Sequence, residues 1–267
     1  MIQPSQSIII INGSGKMTIL LTGASGNLGS EVRKQFPDAL TPPHEELNLV
    51  NRLAVDGYIE KYKPETIIHL AAAVSPPKCE ANKTWAWDTN VFGTMWLVEA
   101  CLKYVPKCYF VLMSTPCVFQ GEDETPKYED YTPYPDNFYG LTKMIQELVV
   151  SRSHLKYLII RGNFVPYRKW PYPKAFTDRK SNYLFAHQLA KGIREVIDAE
   201  MTGIVHVLGD KILSMYELAK LCPESENVQP TTWEEYYKEN PNAVKLTKSM
   251  VMESTRWKKY DIMEGLK

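Results

Sequence analysis

The chain has 267 residues, 44% of them hydrophobic and 23% charged, which suits one large α/β domain or such a domain with a small appended lobe. Its 31 basic and 31 acidic residues balance, so no overall field favours nucleic acid or an anionic membrane, and the expected partner is a small molecule. Five scattered cysteines form no CxxC pair and no zinc-like spacing, so no metal site is predicted and a reducing compartment is expected. The sole apolar stretch near the N-terminus is too short to span a membrane, which predicts a cytoplasmic protein.

Short apolar runs alternate with segments of helical periodicity along most of the chain. Strands are expected at 17–21, 38–41, 66–70, 108–113, 157–161 and 204–208. Helices are expected at 28–36, 53–62, 84–104, 139–152, 183–197 and 214–221. Such alternation implies right-handed crossovers and a parallel sheet with helices on both faces. The predicted fold class is therefore α/β, a Rossmann-like doubly wound parallel sheet with a small C-terminal substrate lobe.

A glycine-rich turn, Thr22-Gly23-Ala24-Ser25-Gly26-Asn27-Leu28-Gly29, follows the first predicted strand. Glycines at this spacing let the backbone approach a pyrophosphate, whose charge the following helix N-terminus favours, although an ordinary βα turn is the alternative interpretation. The second predicted strand ends in Ala39-Leu40-Thr41-Pro42-Pro43, without an acidic residue for an adenosine 2′-hydroxyl or an arginine for a 2′-phosphate. The predicted cofactor is therefore NADP or NAD, with NADP slightly favoured.

Tyr139 and Lys143 are four residues apart in a predicted helix, so the phenol and the ammonium share a face. A nearby cation lowers the pKa of a tyrosine, which can then exchange a proton with a carbonyl oxygen near neutral pH. A YxxxK string alone is more often a solvated helix face, and the glycine turn changes that interpretation. Ser114 and Thr115 end a predicted strand, where a hydroxyl can polarise a substrate carbonyl or simply form a turn.

Five strings carry a family resemblance: TGASGNLG, HLAAAV at 69–74, NVFGT at 90–94, MSTPCVFQG at 113–121 and YGLTK at 139–143. Their order resembles that of the extended short-chain dehydrogenases/reductases. Together with GIVHV at 203–207 and LSMYELA at 213–219, the last two strings are similar to dTDP-4-dehydrorhamnose reductase, which reduces a nucleotide-linked 4-keto sugar. The resemblance covers most of residues 17–221 and implies a dinucleotide cofactor and a nucleotide-sugar substrate.

The resemblance also implies roles for individual residues. Thr115, Tyr139 and Lys143 would be catalytic, Lys143 would also bind the nicotinamide ribose, and Asn90 would support the active-site backbone. The implied cofactor-binding residues are Gly23, Ser25, Gly26, Asn27, Leu28, Asn48, Leu49, Ala71, Ala72, Ala73, Asn90 and Lys143.

The chain departs from the family on the substrate side. Pro116 and Cys117 stand where the family has Asp and Tyr, and the stretch from Arg161 to Tyr183 is short. Candidate substrate contacts are Ser114 and the cations Arg168, Lys169 and Lys174, which lie among aromatic residues as a nucleoside diphosphate site requires. A solvated basic loop is the plainer interpretation of the same cations.

The leading prediction is an NAD(P)H-dependent reductase of a 4-keto nucleotide sugar, in which Tyr139 gives the proton to the carbonyl oxygen. One alternative is a nucleotide-sugar epimerase that retains NAD; the lack of an acid at 114–117 argues against dehydratase chemistry. Another is a non-catalytic NADP-binding regulatory subunit, the role that a relative of this family has for methionine adenosyltransferase.

The predicted division of the chain is an N-terminal extension at 1–16, an NAD(P)-binding Rossmann domain at 17–162, and a small substrate-binding lobe at 163–267 that interleaves with the end of the sheet. Tryptophans in the helix at 84–104 suit packing or an interface, so a homodimer is a further expectation. His69, on an apolar strand, is expected to be a core histidine with satisfied hydrogen bonds.

Overall fold

The computed structural model describes residues 18–266, so the predicted N-terminal extension at 1–16 lies outside the described residues. The strands are β1 (Ile19–Thr22), β2 (Thr66–His69), β3 (Tyr109–Ser114), β4 (Lys156–Arg161), β5 (Asn163–Val165), β6 (Lys174–Phe176), β7 (Lys180–Ser181), β8 (Tyr183–Phe185), β9 (Gly203–His206), β10 (Leu208–Gly209), β11 (Leu213–Ser214), β12 (Gln229–Thr231), β13 (Ser249–Met250) and β14 (Lys259–Tyr260). The helices are α1 (Asn27–Gln35), α2 (Arg52–Tyr62), α3 (Pro76–Ala81), α4 (Lys83–Trp87), α5 (Gly93–Tyr104), α6 (Phe138–Ser151), α7 (Ala186–Asp198), α8 (Met215–Lys220) and α9 (Trp233–Glu239).

Five strands form the central sheet in the order β1-β2-β3-β4-β9, and every neighbouring pair is parallel. Alternate residues of each strand point to opposite faces of the sheet. Because the strands are apolar runs, both faces of the sheet are apolar. Val111 packs in a cluster with residues of α1 and α7, while its neighbour Phe110 packs in a second cluster with residues of α2 and α5. The predicted α/β fold with helices on both faces of a parallel sheet is confirmed.

The predicted second strand at 38–41 is wrong in extent. Leu40 makes one parallel bridge at the edge of the sheet, donating to the Ile19 carbonyl at 2.8 Å and accepting from the Leu21 amide at 2.9 Å. Pro42 and Pro43 follow after Thr41, and proline has no N–H with which to continue a ladder. The chain therefore leaves the sheet after a single bridge.

Two predicted helices also differ from the structure. The helix at 84–104 is interrupted by a π-helical turn, Asp88–Phe92, which carries the fully buried Asn90. Residues 183–185, predicted to begin a helix, instead form β8, which pairs in parallel with β5, and α7 begins at Ala186. Two of the three β8 residues are aromatic, a side-chain type that packs well on a sheet.

The small lobe, defined as residues 163–185 and 207–266, contains four sheets of two or three short strands, together with α8 and α9. These sheets join distant segments: β6 pairs with β12, β7 with β11 and β13, and β10 with β14. An apolar cluster links the lobe to the C-terminal ends of the central strands, with Cys117 and Tyr139 packed among lobe residues such as Trp170 and Phe185. The lobe therefore covers the edge of the sheet where such folds bind ligands.

Membrane insertion by a helix finds no support in residues 18–266, where every helix is too short or too polar to cross a bilayer.

Candidate active site

The glycine turn between β1 and α1 is tightly packed at two of its three glycines. Gly23 has a φ of +72°, and a Cβ there would lie 2.6 Å from the Ala71 amide nitrogen. A Cβ on Gly29 would lie 2.0 Å from the Gly23 carbonyl oxygen. Gly26, in contrast, has an ordinary φ of −73°. The backbone conformation therefore requires glycine at position 23, whereas the φ of Gly26 does not require one.

The N-terminus of α1 has the features of a phosphate cradle. Gly26 is the N-cap and no side chain caps the helix, so its first amide groups remain available to a ligand. Ser25, Gly26 and Asn27 are exposed, whereas Leu28 is 5% exposed and packs in the core, so Leu28 can offer only its backbone. The residues present thus fit the pyrophosphate of a dinucleotide.

The loop after β2 lies against this turn. Ala71 is partly buried, and its amide donates to the Thr22 hydroxyl at 3.4 Å. Ala72 is also partly buried, and Ala73 is 2% exposed. Because the Gly23 backbone adjoins Ala71, the predicted pyrophosphate and ribose walls are contiguous.

Asn48 and Leu49, the residues predicted near the adenine, lie between the edge of the sheet and α2. The Asn48 side chain is partly buried and accepts from the Val50 amide at 3.1 Å. Leu49 is buried beneath Gly93, where a Cβ would lie 3.2 Å from the Leu49 Cβ.

Asn90 supports the loop after β2 through hydrogen bonds in both directions. Its side-chain amide accepts from the Ala73 amide at 2.7 Å and donates to the Ala73 carbonyl at 3.1 Å. It also donates to the Thr142 hydroxyl at 2.8 Å, and the residue is fully buried. Both of its amide protons are used within the protein, so Asn90 fixes the Ala73 loop against α6.

Tyr139, Lys143 and Thr115 meet at the C-terminal end of β3. Helix α6 begins one residue before Tyr139, where Asn137 accepts from the Gly140 amide at 3.0 Å as the N-cap. Lys143, one turn later, donates to the Met113 carbonyl at 2.8 Å. The Thr115 hydroxyl acts on the Tyr139 phenol and lowers its pKa, against the larger effect of burial. The structure thus brings together the three side chains predicted to be catalytic.

The charge states of this group differ from one expectation. Burial raises the pKa of Tyr139 well above its usual value, the neighbouring Cys117 thiol raises it further, and Lys143 is not among the groups that shift it. Burial lowers the pKa of Lys143 to about 8, although Glu147 opposes this shift. The prediction that Lys143 lowers the tyrosine pKa is therefore not met, because desolvation of the phenol dominates. A phenol in this state stays protonated at neutral pH, as a proton donor must.

Ser114 faces away from the predicted substrate side. Its hydroxyl donates to Glu147 Oε1 at 2.5 Å, and Arg161 donates to the same carboxylate from Nε at 2.9 Å and from Nη2 at 2.7 Å. Ser114, Glu147 and Arg161 are all nearly inaccessible, so the proposed substrate contact of Ser114 is replaced by a structural one.

This buried network continues into the small lobe. Arg161 Nη1 donates to the Glu129 carbonyl at 3.2 Å. The Glu129 carboxylate accepts from the His206 amide at 3.2 Å, from the Thr255 amide at 3.4 Å and from the Ser254 hydroxyl. The sequence analysis missed the network, although a charged residue that ends the apolar strand YLIIR is a signal that a buried partner is required.

The three cations predicted to bind a diphosphate do not form a group at Tyr139. Lys174 pairs with Glu239 at 2.9 Å, and its side chain is 45% exposed. Arg168 and Lys169 are exposed on the loop before Trp170. His69 is the satisfied core histidine that was predicted, with Thr22 Oγ1 at 2.7 Å from Nδ1 and Thr94 Oγ1 at 3.0 Å from Nε2.

A parallel sheet with a glycine turn after β1 and a Tyr-Lys pair on α6 defines the class of this protein. It has the fold of the extended short-chain dehydrogenases/reductases, the NAD(P)-dependent oxidoreductases that its motifs resemble. More closely, the chain belongs to the family described as the RmlD substrate binding domain, which matches residues 17–182.

Solved structures agree with that assignment. A dTDP-4-dehydrorhamnose reductase from Clostridium acetobutylicum is 27% identical with a TM-score of 0.76, over 89% of this chain and 90% of that one. The Bacillus anthracis enzyme in complex with NADP is 23% identical with a TM-score of 0.79, over 89% and 90%. WbmH from Bordetella bronchiseptica in complex with NAD+ is 17% identical with a TM-score of 0.71, over 90% of each chain. The last two, being more distant, show the fold alone.

One curated relative has a different role. Methionine adenosyltransferase 2 subunit beta from Xenopus laevis is 26% identical over 246 residues, which is 78% of this chain and 72% of that protein. Matches to the same subunit from Xenopus tropicalis and Rattus norvegicus reach 45% of those proteins. This chain thus spans about half the length of several curated relatives that it matches.

Proposed function

We propose that this protein is an NAD(P)H-dependent reductase of a 4-keto nucleotide sugar, with NADP or NAD as its cofactor. The observation that carries the proposal is the convergence of Tyr139, Thr115 and Lys143 at the end of β3, at the same edge of the parallel sheet as the glycine turn after β1. This edge of a parallel sheet is where α/β folds bind their ligands. The small lobe supplies the other wall of the same site.

The chain's own residues would divide the work as follows. The backbone at Gly23, Ser25, Gly26, Asn27 and Leu28 would hold the pyrophosphate, and Lys143 the nicotinamide ribose. The nicotinamide, when bound, supplies a hydride to the keto carbon. Tyr139 gives its proton to the carbonyl oxygen while Thr115 orients that oxygen, and its raised pKa keeps the proton available.

Asn48 and Leu49 are the proposed adenine contacts, with Ala71, Ala72 and Ala73 beside the ribose. Asn90 acts on this wall through the Ala73 backbone, to which it is bonded in both directions. It is therefore a positioning residue in this proposal, and its replacement should weaken binding without removing a group that touches the cofactor.

The test is a panel of nucleotide-linked 4-keto sugars mixed with the protein and NADPH or NADH, followed by nicotinamide absorbance. We expect NADPH or NADH to be oxidised in the presence of at least one sugar of the panel, and the reaction to be faster with one of the two dinucleotides. If no nucleotide sugar of the panel supports NAD(P)H oxidation but a small free carbonyl compound does, the protein is a reductase whose substrate is not a nucleotide sugar.

A second candidate is favoured by the relative from Xenopus laevis, which is a subunit of methionine adenosyltransferase. Under this alternative the protein binds NADP and a partner enzyme without turnover. The intact Tyr139, Lys143 and Thr115 group favours the reductase. Co-elution with a methionine adenosyltransferase catalytic subunit, combined with no NAD(P)H oxidation on any keto sugar, would favour the regulatory function instead.

A further inference from the structure

One buried hydroxyl beside the candidate active site lacks a partner. Tyr183 is 2% exposed, and its phenol oxygen has no hydrogen-bond partner among the described residues. Buried polar groups in folded proteins are almost always hydrogen-bonded, so an orphan needs an explanation. Tyr183 belongs to the same apolar cluster as Tyr139, and the Cys117 thiol raises the pKa of both phenols. The orphan hydroxyl therefore belongs to a residue of the packed region that contains the candidate catalytic tyrosine.

Arg179 is a cation whose charge acts on this hydroxyl. Its charge lowers the pKa of Tyr183, although burial dominates and raises that pKa to about 12. Nε donates to the Thr247 carbonyl at 2.9 Å, which fixes the guanidinium plane. The neighbouring carboxylate, Asp178, pairs with Lys248 at 3.2 Å instead of with Arg179.

The two terminal nitrogens of Arg179 have weak partners. Nη1 lies 3.0 Å from the Met215 sulfur, and Nη2 lies 3.6 Å from the Met250 sulfur. A thioether is a poor acceptor, whereas a guanidinium fork is suited to two oxygens of one anion. Methionine side chains are flexible and can be displaced at modest cost. The fork is thus held in place but is not satisfied by a carboxylate among the described residues.

A short series of side-chain contacts connects this fork to the candidate active site. The Met250 sulfur lies 3.6 Å from Arg179 Nη2 and 3.8 Å from the Cys117 sulfur. Cys117 follows Thr115 by two residues, and its amide donates to the Thr115 hydroxyl at 3.2 Å. The fork therefore borders the apolar cluster that contains Cys117, Tyr139 and Tyr183.

We propose that Arg179 and Tyr183 form the subsite for the sugar-linked phosphate of the substrate, and that the phosphate displaces the thioethers of Met215 and Met250. This inference rests on the proposed function, because it takes the substrate to be a nucleotide sugar. A 4-keto sugar carries its phosphate across the ring from the carbonyl, so the proposed function requires a phosphate site near Thr115 and Tyr139. The guanidinium gives two donors and the phenol a third.

In this proposal Arg179 and Tyr183 bind the phosphate, and the cations of the loop at 168–174 do not. Lys174 is committed to Glu239, and Arg168 and Lys169 are exposed, where charge contacts contribute little. Lys174 therefore offers a matched control, since its removal takes one cation from the same lobe and leaves Arg179 untouched.

The test measures binding rather than turnover, so that it does not depend on finding the right keto sugar. Calorimetry with UDP-glucose, dTDP-glucose and UDP-glucuronate would compare the wild type with Arg179→Gln, Tyr183→Phe and Lys174→Gln. We expect Kd for these nucleotide sugars to rise about tenfold or more in the first two variants and to stay unchanged in the third, with NADPH affinity constant throughout. Tyr183→Phe should also keep or raise Tm, because it removes a hydroxyl that has no partner.

The outcomes separate the inference from the function on which it rests. A wild type that binds nucleotide sugars, with Arg179→Gln and Tyr183→Phe variants of unchanged Kd, overturns the subsite and leaves the reductase standing. Weakened binding in these variants, without turnover on any keto sugar, supports the subsite and counts against the reductase. A loss of affinity confined to UDP-glucuronate would show that Arg179 reads a sugar carboxylate, and it would overturn the phosphate assignment. Absence of all nucleotide-sugar binding by the wild type overturns both.

Discussion

The central sheet and the small lobe are held together in different ways. Each central strand pairs with a parallel neighbour over four to six residues and is covered by the helices beside it along the chain. In the lobe, strands of two or three residues pair across large separations, as when Lys174 lies opposite Gln229. The family match ends at residue 182, shortly after the lobe begins. Under the proposed function, the sheet supplies the chemistry and the lobe supplies the choice of substrate.

The largest expected effect tests the chemistry assigned to the sheet. Tyr139→Phe should lower kcat by about 10²–10⁴ because it removes the transferable proton and keeps the packed ring. NADPH affinity should stay within twofold, or about 0.4 kcal/mol. Stopped-flow and fluorescence titration measure both quantities, and Tyr157→Phe on β4 is the matched control. Retention of more than about a tenth of the wild-type kcat would exclude Tyr139 as the acid.

The next largest effect is expected on stability, at the buried ion pair between Glu147 and Arg161 that links the sheet to the small lobe. Glu147→Gln leaves the Arg161 guanidinium buried without a counter-charge, which should lower the free energy of unfolding by about 3–5 kcal/mol. Glu99→Gln is the control, because its pair with Arg52 is exposed and should cost about 1 kcal/mol or less. Urea unfolding gives both numbers. Similar losses for the two variants would contradict a special role for this buried ion pair.

His69 provides a pH test of the sheet. Burial lowers its pKa to about 3, and the Lys143 charge adds to the shift. The unfolded chain therefore binds this proton below about pH 6.5 while the folded protein does not, so stability should fall by up to about 1.4 kcal/mol per pH unit from 6.5 toward 3. His69→Gln should flatten that dependence in urea unfolding at several pH values. A variant with the wild-type slope would show that other groups dominate.

The smallest effects compare two glycines. Gly26→Val should fold, because its φ of −73° suits any residue, yet the new side chain should raise Kd for NADPH by about tenfold or more. Gly57→Ala, in the middle of α2 with open space around its Cβ position, should stabilise the protein by about 0.5–1 kcal/mol and leave the dinucleotide affinity unchanged. Unaltered NADPH binding by Gly26→Val would reduce the turn to a βα connection.

Most of the central sheet could be predicted because its signals are local. Apolar runs and helical periodicity located β1, β2, β3, β4 and β9 within about two residues. The single bridge at Leu40 was predicted as a strand because the residues at 38–41 have an apolar pattern. Pro42 and Pro43 prevent further backbone hydrogen bonds without changing that pattern. No periodicity in the sequence predicted the π-helical turn. The turn lies within a segment of helical pattern and carries the buried Asn90.

The site was predicted where motifs are contiguous and missed where it is assembled at long range. Tyr139 and Lys143 share a helix, so their spacing alone placed them on one face. Arg179 and Met250 are 71 positions apart, and neither stands in a string with a known pattern. The cations at 168–174 drew attention because they cluster in sequence, a property that does not require them to meet in space.

The buried link from Ser114 through Glu147, Arg161 and Glu129 limits how this protein can be divided or diversified. A fragment that ended at residue 182, where the family match stops, would lose the partners that His206, Ser254 and Thr255 provide to Glu129. Strand β9 would be missing from its edge as well. Grafting a new specificity onto this scaffold should therefore exchange loops between these anchors and keep the anchors themselves.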